Sequence, residues 1–197
     1  MNWTLAVGLI GALSLVSVTA WSNQDHHGHG AYAGFQDRAI SSLSDQDIAD
    51  IEQGRGWGLA LPAELNGLPG PVHLLELKED LGLSPDQIAA FEAIYADMRA
   101  EAIAAGAVFL QAERTLSQAF KDKVLSPEDL FDLVAAAAKA RADLRYVHLS
   151  RHLMTPELLT ASQIERYAVL RGYRQDPCAE VPEGHDPAMW RRHNGCE

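Results

Sequence analysis

Two histidines four positions apart, His148 and His152, are the residues of this chain best placed to do chemistry. On a helix this spacing puts both imidazoles on one face, which is a usual arrangement for two ligands of one metal ion. The alternative is structural, because His148 also continues an apolar stripe with Leu144 and Val147 and would then be a packed histidine with a backbone partner. The pair therefore predicts a metal site, in competition with a purely structural role.

Three further residues would complete such a site. His73 and Glu76 are three positions apart on a predicted helix and would supply a nitrogen and an oxygen ligand, and Glu113 is a further candidate oxygen donor. In a helical hairpin, the helix that carries His73 and the end of the helix that carries the histidine pair can lie at the same end. The predicted ion is a transition metal (copper, zinc, nickel or cobalt), and its affinity should fall at low pH because the ligand imidazoles must be neutral.

Neither catalysis nor nucleic-acid binding finds support in the sequence. There is no nucleophile elbow, phosphate-binding loop or HExxH motif, so we predict that the protein is not an enzyme. The formal net charge is −11, whereas a nucleic-acid-binding domain carries a basic face. An acidic balance suits metal cations or basic, unfolded protein clients instead.

Two similar segments define where helices begin on either side of these histidines. In each segment a hydroxyl residue is followed three positions later by glutamine, Ser84 by Gln87 and Thr160 by Gln163. This is the capping-box pattern, in which the hydroxyl accepts a bond from a first-turn N–H and the glutamine side chain returns to the cap. The doubled pattern therefore predicts two helix starts of the same kind.

The spacing of the apolar residues predicts an all-α protein whose main domain, residues 72–173, is a long antiparallel helical hairpin with short flanking helices. The predicted helices span residues 72–81, 85–121, 126–154 and 160–172. Met98 belongs to the apolar stripe of the second helix, and Gly106 is expected to be a weak point or kink in it. Because a hairpin this thin has a small core for its length, we also expect a homodimer.

The chain before the hairpin divides into three parts. Residues 1–20 are uncharged and mostly apolar and end in Val-Thr-Ala, which predicts a signal peptide cleaved after Ala20, with an uncleaved membrane anchor as the alternative. Residues 21–36 are expected to be a flexible segment that contains histidines. Residues 37–71 should form a short helix capped by Ser44 and then an ordered loop rich in glycine and proline. The protein is therefore expected to be exported.

The C-terminal tail, residues 174–197, holds both cysteines of the chain, Cys178 and Cys196. In an oxidising compartment a disulfide between them is the expected state. The alternative is a thiolate metal site that adds His185 and His193, although the cysteine spacing does not match a compact zinc motif.

The segments 84–87 and 160–163 resemble the paired LTxxQ motifs of the Spy/CpxP family of periplasmic proteins. The histidine ahead of the first segment, together with His148 and His152, resembles the pattern of the related periplasmic heavy-metal sensor and resistance proteins. The resemblance covers residues 71–173, and the predicted export signal is consistent with it.

This resemblance implies a hairpin that dimerises into a curved cradle in the periplasm. Family members act as ATP-independent chaperones, as inhibitors of envelope-stress sensor kinases, or as metal-sensing partners of signalling proteins. By position, His73, His148 and His152 match where sensor-type members place ligands. This chain departs from the sensor pattern in having Leu77, not a second histidine, four positions after His73, and in having His152 where a methionine ligand can occur.

The expected function is a periplasmic stress protein that binds or senses a transition metal. The alternative is a metal-free chaperone or adaptor whose partners are unfolded proteins or a membrane sensor. A third hypothesis is a structural or regulatory partner of a membrane protein with neither property.

Overall fold

The protein is described by a computed structural model over residues 30–123 and 125–196. Within those ranges the chain is helical and has no β-strand, which confirms the all-α prediction. The predicted signal peptide and most of the histidine-containing segment that follows it lie outside the described residues. None of the described helices is both long and apolar enough to cross a membrane.

Residues 30–123 and 125–196 contain seven α-helices and two short 3₁₀ helices. The α-helices are α1 (Asp45–Glu52), α2 (Leu61–Glu64), α3 (Pro71–Glu76), α4 (Pro85–Asp122), α5 (Pro127–Met154), α6 (Ala161–Leu170) and α7 (Pro187–His193). The 3₁₀ helices span Phe35–Asp37 and Pro156–Leu158. Helices α4, α5 and α6 begin and end within two residues of the ranges that the sequence predicts.

The hairpin of α4 and α5 is the frame of the molecule, and α1 packs on α4. The two long helices share one apolar core with α1, to which Ala102, Phe109 and Leu144 contribute. Gly106 does not interrupt α4, which runs unbroken through it. A Cβ atom at Gly106 would lie 2.7 Å from Cγ2 of Ile51, so this glycine lets α1 approach α4 closely. The kink expected at Gly106 does not occur, and this glycine is instead a packing contact between α1 and α4.

A second apolar core joins α3 and α6 to the start of α4, with Leu74, Leu81, Phe91 and Tyr167 buried in it. The first predicted helix is shorter than expected, because α3 ends at Glu76 and hydrogen-bonded turns follow it. These turns bring the chain round before α4 so that the apolar residues on both sides of Gly82 enter this core.

The tail after α6 folds around the disulfide between Cys178 and Cys196. The indole of Trp190 on α7 donates to the carbonyl of Pro177 at 2.7 Å, and His185 lies edge-on to the same ring at 4.9 Å between centroids. The thiolate metal site considered from the sequence would need both cysteines in reduced form, whereas they are joined in this disulfide.

Candidate functional site

A cleft of about 430 Å³ lies at the end of the hairpin where α5 finishes. Its walls come from the glycine-rich loop at residues 54–58, α2, the start of α3, the first half of α4, the last turns of α5 and the residues just after α6. The side chains that matter for its chemistry are those of Glu64, His73, Glu76, Met98, His148, His152, Arg171 and Tyr173. The structure thus places three of the predicted histidines on one cleft.

His148 is almost completely buried, with 2% of its surface exposed. Its Nε2 atom has no hydrogen-bond partner among the described residues. Burial disfavours the charged imidazole and lowers the pKa of His148 from 6.5 to about 4, and the nearby charge of His152 adds to this effect. His148 is therefore neutral near pH 7. The backbone partner that a purely structural histidine would have is not found for Nε2.

His152 is also buried, but one of its nitrogen atoms has a partner. Nδ1 lies 2.6 Å from the carbonyl oxygen of Leu68, and because a carbonyl only accepts, Nδ1 carries the proton and donates. Nε2 is then left with a free lone pair in the neutral ring. A Cβ atom at Gly70 would lie 2.9 Å from this Nε2, so the glycine leaves room beside it.

The other predicted ligands are placed less favourably. His73 lies on the cleft with Glu76, but its Nδ1 is 2.8 Å from the Glu76 carboxylate, so the two residues already bind each other. Glu113 does not line the cleft and accepts a hydrogen bond from the Ser42 hydroxyl at 2.6 Å. It lies fifteen residues beyond Met98 on α4, a distance of about 22 Å along the helix.

The five predicted ligands are therefore not gathered around one point. Among the described residues, no group of three histidine, cysteine, aspartate or glutamate side chains is close enough to hold a metal ion. What the structure does bring together is the pair of buried histidines, with additional side chains that sequence reasoning did not select.

Met98 is one of these additional residues, and it is 5% exposed on the wall of the cleft. Ala102 and Leu144 share the core between α4 and α5. Met98 precedes Ala102 by one helical turn and His148 follows Leu144 by one turn, so the antiparallel hairpin carries both residues to the same level. From sequence alone Met98 looks like any other member of the apolar stripe.

Glu64 is the other residue that was missed, a carboxylate only 5% exposed. Its oxygen atoms accept hydrogen bonds from the hydroxyls of Tyr167 and Tyr173 and, at 3.3 Å, from the backbone N–H of Gly70. The Arg171 guanidinium lies 3.4 Å away and forms an ion pair without a well-directed hydrogen bond. Burial, followed by the Glu64 contact, raises the pKa of Tyr167. These contacts tie the loop before α3 to α6.

The two glutamine boxes meet beside this cluster. In both, the hydroxyl and the glutamine form the predicted capping bonds. Gln87 Nε2 donates to Gln163 Oε1 at 2.9 Å, and Gln163 Nε2 donates to Gln87 Oε1 at 3.1 Å. Each amide also donates to a carbonyl on the opposite side, that of Leu158 or Leu81. The repeated motif therefore forms a reciprocal amide pair that joins the start of α4 to the start of α6.

Comparison of the chain with family models, with curated proteins and with solved structures gave no match in any of the three.

Proposed function

We propose that this is an exported, Spy/CpxP-like stress protein of the periplasm that binds a transition-metal ion through His148 and His152. The observation that carries the proposal is the Nε2 atom of His148, which is buried on the wall of a cleft without a hydrogen-bond partner among the described residues. A buried polar atom without a partner costs about 1–3 kcal/mol, so a protein that keeps one calls for an explanation. In the tautomer protonated at Nδ1, this Nε2 would offer its lone pair to a metal ion.

The surroundings of His152 support the same proposal. Metal-binding histidines usually donate their second ring N–H to a carbonyl or carboxylate, which orients the ring and leaves the other nitrogen for the ion. The bond from Nδ1 of His152 to the Leu68 carbonyl has this form, and Gly70 leaves space beside Nε2. The paired glutamine boxes support the Spy/CpxP-like part of the proposal.

A chaperone function is the second candidate, and a separate surface favours it. The far end of the hairpin exposes large apolar side chains, with Phe120 58%, Phe131 74% and Val134 48% exposed. Such a patch is typical of a surface that binds another protein. As a chaperone, the protein would bind unfolded clients on this patch; the alternative occupant is a second copy of the chain, in the proposed homodimer.

Calorimetric titration with Ni²⁺, Co²⁺, Zn²⁺ and copper in both oxidation states, with Cu⁺ handled without oxygen, tests the metal site. We compare the parent chain with a His148→Leu/His152→Leu variant and with His185→Leu/His193→Leu, a control that removes two histidines of the C-terminal tail. All three proteins keep the histidines near the N-terminus, so weak binding there cancels. We expect the cleft variant to lose one equivalent of bound metal and the control to keep it.

If the cleft variant and the parent bind the same number of each of these ions, Cu⁺ included, the histidine pair is not a metal site. The chaperone function would then become the leading proposal, and suppression of client aggregation without metal or nucleotide would be the measurement to make.

A further inference from the structure

We infer that Met98 is the third ligand of the histidine pair and that the resulting site selects Cu(I). This inference rests on the proposed metal site, and it names the ion that the site takes. It also assigns a ligand on α4, the helix whose predicted donor Glu113 lies far from the cleft.

The geometry that supports Met98 comes from the register of the hairpin. Ala102 on α4 and Leu144 on α5 share the core between the two helices. Met98 lies one turn from Ala102 and His148 one turn from Leu144, in the same direction along the hairpin, and both are buried on the same cleft. His152 follows one turn later on the face that carries His148. Two imidazoles from α5 and one thioether from α4 therefore line the same cleft.

The chemistry of this donor set determines the ion. A thioether is a soft ligand that favours Cu(I), whereas Zn²⁺, Ni²⁺ and Co²⁺ are better served by imidazole with thiolate or carboxylate. No third histidine, cysteine or carboxylate among the described residues is close enough to complete a site for those ions. Of the four metals considered from the sequence, copper in its reduced form is the one whose ligand preferences match the residues present.

The absence of charge on the donor atoms also favours Cu(I) over the divalent ions. The three donors are neutral, and most of the surface that lines the cleft is apolar. Because the cost of removing an ion from water rises steeply with its charge, a cleft of this kind discriminates against divalent ions. The carboxylate of Glu64 lies 3.8 Å from Nδ1 of His152, but its charge is offset by the Arg171 guanidinium at 3.4 Å, so this pair adds little net negative charge beside the ligands.

The test is an anaerobic competition titration with Cu(I) held by the chromophoric chelator bicinchoninate, using ascorbate as the reductant. Zn²⁺ affinity is measured in parallel on the same proteins. The informative variant is Met98→Leu, which keeps the volume and apolar character of the buried side chain while removing the sulfur. Met154→Leu is the matched control, because Met154 lies on α5 but is not part of the cleft wall.

We expect Met98→Leu to weaken Cu(I) binding at least tenfold while leaving the Zn²⁺ affinity and the thermal unfolding midpoint nearly unchanged. Met154→Leu should bind both ions as the parent does. X-ray absorption at the copper edge should detect a sulfur neighbour in the parent and none in Met98→Leu. A third variant, Gly70→Ala, should weaken the binding of both ions, since its methyl group occupies the space beside Nε2 of His152.

Two other outcomes overturn the inference in distinguishable ways. If Zn²⁺ binds through the histidine pair as tightly as Cu(I) and Met98→Leu changes neither affinity, the metal site stands and the role of Met98 is wrong. If no ion binds in a way that depends on His148, both the metal site and the role of Met98 are wrong.

Discussion

The two halves of the α4–α5 hairpin are built from similar residues but differ completely in burial. The half near the cleft carries nearly all the buried side chains of the two helices, among them Phe91, Met98 and His148. In the far half, residues 111–123 and 125–136 include no buried residue at all. The difference arises because α1, α3 and α6 cover only the first half, whereas two helices alone cannot enclose a core.

This contrast in burial explains why the candidate site lies at one end of the hairpin. In the described part of the chain, buried polar side chains such as those of Glu64 and His148 occur only where additional elements pack on the hairpin. The far half offers exposed apolar and charged side chains instead. One end of the molecule is therefore suited to a small ligand, and the other to a macromolecular partner.

Truncating a phenylalanine at each end should give the largest difference. Phe91→Ala removes a fully buried ring from the core of α3, α4 and α6, and we expect it to lower the free energy of unfolding by about 3–5 kcal/mol. Phe131→Ala removes an exposed ring at the far end and should change the free energy of unfolding by less than about 0.5 kcal/mol. Urea denaturation at low protein concentration measures both values.

Comparable losses from the two substitutions would contradict the division of the hairpin into two halves. Light scattering on the same proteins extends the comparison, since the proposed dimer predicts that Phe131→Ala lowers the average mass at micromolar concentration while Phe91→Ala acts on folding.

Acid should destabilise the half near the cleft through His148. In the unfolded chain this histidine takes up a proton near pH 6.5, and in the folded metal-free protein its pKa is about 4, so between these values the unfolded chain binds more protons. Stability therefore falls as the pH is lowered from 7 to 4, by about 3 kcal/mol from this residue.

The matched measurement is the same pH series on His148→Leu. The variant should lack this part of the acid sensitivity, and at pH 7 it should be no less stable than the parent because it removes the Nε2 atom without a partner. Identical pH dependence in the two proteins would mean that His148 is solvated in solution.

The glutamine pair should give the smallest effect. A double-mutant cycle with Gln87→Ala and Gln163→Ala should show a coupling free energy of about 0.5–1.5 kcal/mol, because the two amides donate to each other. The control is the capping box of α5, formed by Ser126 and Asp129 at the far end. Asp129→Ala should show no coupling to Gln163→Ala, and additive effects throughout would mean that each glutamine only caps its own helix.

Local signals were enough to predict most of the helices. Ser84, Ser126 and Thr160 each form the capping bonds that their sequence context indicates, and the helices they begin follow the predicted ranges. α3 is shorter than predicted because tertiary packing of Leu81 and Leu83 prevails over local helical preference. α7 was not predicted, since it is short and depends on the disulfide-closed tail around it.

The candidate site was harder to predict than the fold. The spacing of His148 and His152 correctly places them on one helix face, whereas Glu113 was chosen without knowing the register of α4 against α5. Glu64 is the last residue of the one-turn helix α2, where nothing in the sequence indicates burial, and its position results from contacts across about a hundred residues of chain. Spacing along one helix is a local property, and convergence between elements is not.

The link between Gln87 and Gln163 has a consequence for the order in which the protein folds. The hairpin is built from local contacts, so α4 and α5 can form and pair early. The amide link closes a loop of 76 residues, and the cleft also needs segments from before α3 and after α6, whose contacts have much larger sequence separation. The cleft should therefore be completed late in folding and be lost early when the native protein opens locally, which would make hydrogen exchange in α3 and α6 the first to respond to a bound ion.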